Sequence, residues 1–245
     1  MYFIFGLIFG SFLNVLTYRL PLNESLVRPP SHCPSCSHRL SIVDLLPVGS
    51  YALLRGRCRY CGCKISWRYP AVELLTGLVF LLLGLKHQLQ GALIPYLVLS
   101  SLLIVISFID LDHFYIPDKL LLTGVVFWAG LRVFLPFITL RNAFLGATLG
   151  YAIMLLIYLG SRGGMGFGDV KLAALIGLYL GPAPVILTLL LSFVVGAVAG
   201  ISLIALKIRG RKDMLPFGPF LALGAYISMV WGPVIIKWYT AMVGL

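Results

Sequence analysis

Long apolar runs return eight times along this chain, at Tyr2–Leu20, Pro70–Leu85, Ala92–Ile109, Pro117–Phe137, Ala143–Leu159, Val170–Leu180, Val185–Leu206 and Phe217–Tyr239. A helix needs about 20 apolar residues to cross the hydrocarbon core of a bilayer, and several of these runs approach that length. The chain as a whole carries little charge. Of 245 residues, 60% are hydrophobic and 11% charged, whereas a soluble domain is about 25% charged. That is too little polar surface to coat a water-soluble particle. Lipid offers no partner to an open backbone, so the runs are predicted to be helices. The expected fold is therefore all-α, a polytopic membrane protein of about eight transmembrane helices. Val170–Leu180 is short, and is expected to be a half-span or a tilted helix shielded by protein. The first run lacks a basic leader region and a small-residue cleavage site, and reads as a membrane helix. No internal repeat is expected.

Charge sets the orientation. The net charge is +11, from 19 basic and 8 acidic residues. With eight spans and the N-terminus outside, 15 basic residues fall in inner loops and only Lys86, Arg132, Arg141 and Lys237 fall outside. This is the asymmetry of the positive-inside rule. The basic excess is thus accounted for by topology. Lipid is the expected partner, and nucleic acid is not. The largest polar stretch, residues 21–69, becomes a cytoplasmic loop with reduced thiols. The expected division is a first transmembrane helix over 1–20, the loop module over 21–69 and a transmembrane core over 70–245.

The loop holds two CxxC pairs, Cys33-Pro-Ser-Cys36 and Cys58-Arg-Tyr-Cys61, separated by 21 residues. Each pair can turn both thiolates toward one ion, and two pairs supply the four soft ligands of a structural zinc site. The other reading is two reduced pairs without metal, or a disulfide pair. Cys63 is a fifth thiol, able to replace Cys61 as ligand because Gly62 makes the turn adaptable. His32 and His38 read as loop residues. A segment of about 50 residues cannot build a self-sufficient core, and bound zinc can supply the missing folding energy.

Three of the eight acidic residues, Asp110, Asp112 and Asp118, lie in one short stretch, and Asp169 follows the glycines at 163, 164, 166 and 168. Ionisable groups at membrane depth are costly, and their default reading is functional. Two carboxylates in one low-dielectric site do not both ionise easily. The ionised member can take a proton from water while the protonated one polarises a peptide carbonyl, which is aspartic-protease chemistry. Capping competes with this reading. Asp118 after Ile116-Pro117 suits an early-helix carboxylate, and Asp169 suits a helix N-terminus. Glu73 serves either a substrate pocket or the helix dipole.

These residues, taken in order, resemble the type IV prepilin peptidases, membrane aspartic proteases of the GxGD class. The matches are Gly10-Ser-Phe-Leu-Asn14-Val with Tyr18-Arg-Leu-Pro21, the two CxxC pairs, Ile65-Ser-Trp-Arg-Tyr-Pro70 leading to Glu73, Asp110 through Ile116-Pro-Asp118, Gly166-Phe-Gly168-Asp169-Val-Lys171-Leu172 and Leu215-Pro216-Phe217-Gly218-Pro219. The resemblance implies an enzyme of the bacterial inner membrane with its active site facing the cytoplasm. Such an enzyme removes the basic leader of prepilins or pseudopilins after a glycine. It implies Asp110 and Asp169 as the catalytic pair, supported by Asp112, Asp118, Gly166, Gly168 and Lys171. Pro216–Pro219 is expected to stay unwound and hold substrate, together with Glu73; a plain helix start is the other reading of the prolines. Many members also methylate the new N-terminus with S-adenosylmethionine, an activity tied to the N-terminal region and cysteine loop. No glycine-rich methyltransferase motif is visible here.

Two other classes compete. A proton-coupled transporter would use the same aspartates, but they cluster at one membrane face and paired interrupted helices are not evident. A zinc-bearing scaffold would need no aspartate chemistry at all.

Overall fold

The computed structural model describes residues 1–88, 91–161, 163–208, 210 and 213–244. Arg162, Arg209, Arg211 and Lys212 of the inner basic set lie outside the described residues. Among the described residues the protein is helical, and β pairing is confined to two isolated bridges. The helices are α1 (Tyr2–Arg19), α2 (Gly49–Leu53), α3 (Arg68–His87), α4 (Leu93–His113), α5 (Asp118–Phe134), α6 (Leu140–Gly160), α7 (Phe167–Leu180), α8 (Pro182–Ala205) and α9 (Gly218–Val243). Each of the eight apolar runs is a helix, and α1, α3, α4, α6, α8 and α9 are long and apolar enough to cross a membrane. The protein is an all-α, multi-pass membrane protein.

The chain forms two compact units, Met1–Leu85 and Lys86–Leu245. In the first, α1 meets α3 through Phe5, Phe9 and Phe80, whose rings lie 4.8–6.1 Å apart. Buried Asn14 donates to the Tyr69 carbonyl at 3.0 Å. The loop between these helices contains two knuckles of the same construction. Cys33 N–H donates to the His38 carbonyl, and Cys58 N–H to that of Cys63. Ser37 N–H returns to Cys33, and Gly62 N–H to Cys58. His32 bridges Arg39, and Arg57 bridges Lys64. Ser37 and Gly62 both take positive φ, 56° and 70°. The loop therefore does contain a short repeat, offset by 25 residues. Its two copies share backbone geometry and little side-chain identity beyond the CxxC, so it was not visible as sequence periodicity.

The second unit is built around α7. This helix is about 21 Å long, too short to span alone, but ten of its fourteen residues are buried. Irregular ends at membrane depth are tolerated where protein covers them. α6 reaches α7 backbone to backbone. Gly146 and Gly177 lie against each other's carbonyls, and a Cβ on Gly150 would stand 2.5 Å from the Ala173 oxygen. This is the small-xxx-small contact that lets membrane helices pack without a hydrophobic driving force. A Gly177→Val substitution is expected to cost about 3 kcal/mol or more, read as thermal unfolding in detergent. Gly130→Val, where a Cβ meets nothing within 4 Å, should change little. Wild-type stability in Gly177→Val would mean that α6 and α7 do not touch.

Two further details hold the unit together. Tyr179 donates its hydroxyl to the Gly124 carbonyl at 2.7 Å, joining α7 to α5. In α9, Pro233 has no N–H for the Met229 carbonyl one turn back, and His87 Nε2 donates to that oxygen at 2.9 Å.

Candidate active site and thiol cluster

The apolar run Ala92–Ile109 stops one residue before Asp110, but α4 continues through His113 and ends at Phe114 in the left-handed conformation. Asp110 therefore stands on the last helical turn, 5% exposed, while Asp112, two residues on, faces outward. Ile116 and Pro117 carry the chain to α5, whose first residue is Asp118. α7 likewise begins earlier than its apolar run. Gly166 is its N-cap, so Asp169 is the third helical residue, 6% exposed. The Asp169 carboxylate reaches back to the Gly166 backbone, the contact a capping-box acid makes.

Asp110 and Asp169 lie 59 positions apart in sequence, and their carboxylates come within electrostatic reach of each other. Gly168 makes the approach of the two segments possible: a Cβ there would stand 3.0 Å from the Ile116 Cβ. On the far side of Asp110, Gly218 donates its backbone N–H to Oδ2 at 2.9 Å. Gly218 is the first residue of α9, with Pro219 beside it in the first turn. Only Pro216 and Phe217 of the Pro216–Pro219 segment remain outside the helix, which corrects the expectation that all four stay unwound. Phe217 stacks on Phe193 at 4.9 Å. Lys171, one turn along α7 from Phe167, pairs with Asp118 at 2.7 Å and lies over the Phe167 ring.

Glu73 belongs to the first unit. It is 8% exposed and accepts the Val48 N–H at 2.8 Å, with the Ser11 hydroxyl as a second partner. Val48 carries φ of 58° immediately before α2, so the carboxylate secures a turn of the cysteine loop. Sequence reasoning missed this clamp, along with the Gly218 N–H, because both are contacts to backbone atoms that no side-chain pattern announces.

The Sγ atoms of Cys33, Cys36, Cys58 and Cys61 all lie within 4.8 Å of one another. Zinc–sulfur bonds of about 2.3 Å set tetrahedral S···S edges near 3.8 Å, and Cys33 and Cys61 are 3.8 Å apart. The donor set and its spacing fit one metal ion. Cys63 Sγ is also close, 3.5 Å from that of Cys33. The Cys36 and Ser35 backbone N–H groups lower the Cys33 thiol to about 6, which favours the thiolate a metal requires.

Asp44 ties the preceding turn to the second knuckle. It accepts from the Ser41 hydroxyl at 2.7 Å, from Arg59 Nε at 2.7 Å and from the Tyr60 hydroxyl at 3.1 Å. The Ser41 hydroxyl, ahead of the other donors, pulls its carboxyl down to about 2. A carboxyl lowered by folding contributes stability that is complete above its unfolded value, near 3.9, and is lost as pH falls toward 2. Wild-type protein should therefore exceed Asp44→Asn in thermal stability at pH 5, with the gap closing as pH falls through 4 toward 2. A constant gap would assign the effect to packing.

Residues 4–87 match the family model of the bacterial peptidase A24 N-terminal domain, and residues 97–201 match that of the type IV leader peptidase family. The chain is 37% identical to a prepilin leader peptidase/N-methyltransferase of Aeromonas hydrophila, over 97% of this chain and 92% of the relative. A Bacillus subtilis protein of the same name is 35% identical, over 98% and 97% of the two chains. One from Pseudomonas aeruginosa is 35% identical, over 98% and 92%. No solved structure matches the chain. A likeness of this extent, running through both units and across both aspartate segments, means that the chain belongs to the type IV leader peptidase family.

Proposed function

We propose that the protein is an aspartic endopeptidase of the bacterial inner membrane. It removes the basic leader from type IV prepilins or pseudopilins on the cytoplasmic side, after a glycine, and is a candidate N-methyltransferase for the new N-terminus. One observation carries the peptidase reading: two carboxylates distant in sequence are both buried, with Asp169 within electrostatic reach of Asp110.

Asp110 is assigned as the ionised member, because the Gly218 N–H at the start of a 26-residue helix points at its Oδ2. Such a donor and the helix dipole favour negative charge. Asp169 holds the proton. Asp110 then takes a proton from water as the water oxygen attacks the scissile carbonyl, and Asp169 gives its proton to the carbonyl oxygen. In the collapse, Asp110 passes its proton to the leaving nitrogen, and Asp169 recovers one from the gem-diol. Gly166 and Gly168 let the Asp169 segment approach. Asp118 and Lys171 orient α5 against α7, since an exposed pair of this kind adds little stability. Asp112 is a supporting residue at the exposed rim. Gly218 borders Asp110, and Pro216, Phe217, Gly218 and Pro219 are assigned to hold the extended substrate. Glu73 acts on substrate through the loop it secures.

Zinc is assigned to Cys33, Cys36, Cys58 and Cys61. Cys61 is preferred over Cys63 because it occupies the knuckle position of Cys36, whereas Cys63 occupies that of His38. Four thiolates leave no open coordination position, so the ion would hold the fold of the loop and take no part in hydrolysis. Methylation rests on the names of the relatives. No residue here is assigned to S-adenosylmethionine, and no step is routed through it.

Purified protein mixed with a model prepilin, with and without S-adenosylmethionine, tests the reading by mass spectrometry. Leader loss after glycine is expected, with a 14 Da gain in the second case if this member methylates. An intact prepilin in the presence of folded protein would sink the peptidase assignment.

A further inference from the structure

A groove of about 370 Å³ in the first unit is used by none of the chemistry above. Phe12, Val15 and Arg19 of α1 line it together with Leu26, Val27, Arg39 and Ile42 of the loop. The three α1 residues follow a single helix face and span about 10 Å of its length. The groove thus joins this face of α1, where Phe12 is half exposed, to residues 26–45 of the basic loop.

Its charge is one-sided. No lining residue is acidic. Arg19 is 6% exposed, and its guanidinium donates to the Ser25 and Pro29 carbonyls at 2.8 and 2.7 Å. Carbonyl contacts orient the cation and leave its charge uncompensated. Arg39 is exposed, and neither arginine pairs with a carboxylate among the described residues. A buried cation without a counter-ion is costly, so the site favours an anionic occupant. The apolar wall running from Arg19 back to Phe12 calls for that anion to carry a hydrocarbon chain. A cationic methyl donor or a basic leader peptide has the wrong charge.

We propose that this groove binds one anionic phospholipid, its phosphate between Arg19 and Arg39 and its acyl chain along Phe12 and Val15. The lipid fastens the cysteine loop to the membrane end of α1.

The test uses full-length protein, delipidated in neutral detergent and titrated with dioleoylphosphatidylglycerol, dioleoylphosphatidylcholine or inorganic phosphate. Bound lipid is counted by native mass spectrometry, and thermal unfolding is followed in parallel. Phosphatidylglycerol should bind at least about tenfold more tightly than phosphatidylcholine and raise the unfolding temperature, since each basic side chain near the membrane surface contributes roughly fivefold toward an anionic lipid. Phosphate alone should leave the unfolding temperature unchanged. Arg39→Gln should weaken phosphatidylglycerol by about fivefold. Val15→Trp, which fills the groove and keeps both charges, should abolish lipid retention. Equal binding of the two lipids, or a phosphate effect equal to that of phosphatidylglycerol, would overturn the proposal. So would unchanged phosphatidylglycerol binding in both variants, or displacement of the lipid by a model prepilin. The lipid comparison on wild-type protein decides the matter even if a variant folds poorly.

Discussion

Asp110→Asn and Asp169→Asn are each expected to lower leader cleavage by about a thousandfold or more, within the range associated with removing a general acid or base. Asparagine keeps the size of aspartate but cannot cycle a proton, so each single substitution stops one half of the exchange. The fold should survive both changes. The Gly218 N–H can still meet an amide oxygen at position 110, and no salt bridge is lost, because neither aspartate pairs with a cation among the described residues. Thermal unfolding of the variants should therefore stay near wild type while turnover disappears. Asp112→Asn, on the exposed side of the same turn, should keep activity within a few fold. Near-normal cleavage by folded Asp169→Asn would remove the dyad from the mechanism.

The second large effect is expected at the thiol cluster. Wild-type protein should carry about one zinc per chain, as a four-thiolate set implies, and Cys33→Ser with Cys36→Ser should carry none. Zinc bound by such sites contributes on the order of 10 kcal/mol to local folding, so the loop around the knuckles should unfold without it. Hydrolysis uses carboxylates in the second unit, and is expected to fall less than methylation does. A pre-cleaved pilin separates the two activities. If the protein methylates, the aspartate variants should still methylate the pre-cleaved pilin, and the cysteine variants should not. Failure of folded aspartate variants on pre-cleaved pilin would mean that the two activities share one site. Carefully prepared protein without zinc or an equivalent ion would reduce the cluster to free thiols.

Much of this was legible in the residues. Eight apolar runs became eight helices, because in lipid the backbone has few other ways to satisfy its hydrogen bonds. The two CxxC pairs identified their own cluster, because a two-residue spacer already turns both thiols the same way. Ends were read less well. Asp110 and Asp169 fall just outside their apolar runs, yet both stand inside helices. Hydropathy records where side chains leave the hydrocarbon, while helix ends are decided by caps, here Phe114 and Gly166.

The sequence by itself determined the class of the protein, the number of its apolar helices, the presence of a cysteine cluster in its loop and the presence of carboxylates where a membrane tolerates few. Those properties follow from composition and local spacing, which act over one or two helical turns. Only the tertiary structure decided that Asp110 and Asp169 come within electrostatic reach, that Gly168 packs against Ile116, and that the Gly218 N–H comes from 108 positions away to hold one of the pair. It also placed Glu73 on the Val48 N–H and Arg19 beside an apolar groove. Such contacts depend on how whole helices pack, and on backbone donors that every residue except proline carries, so no residue pattern could single them out.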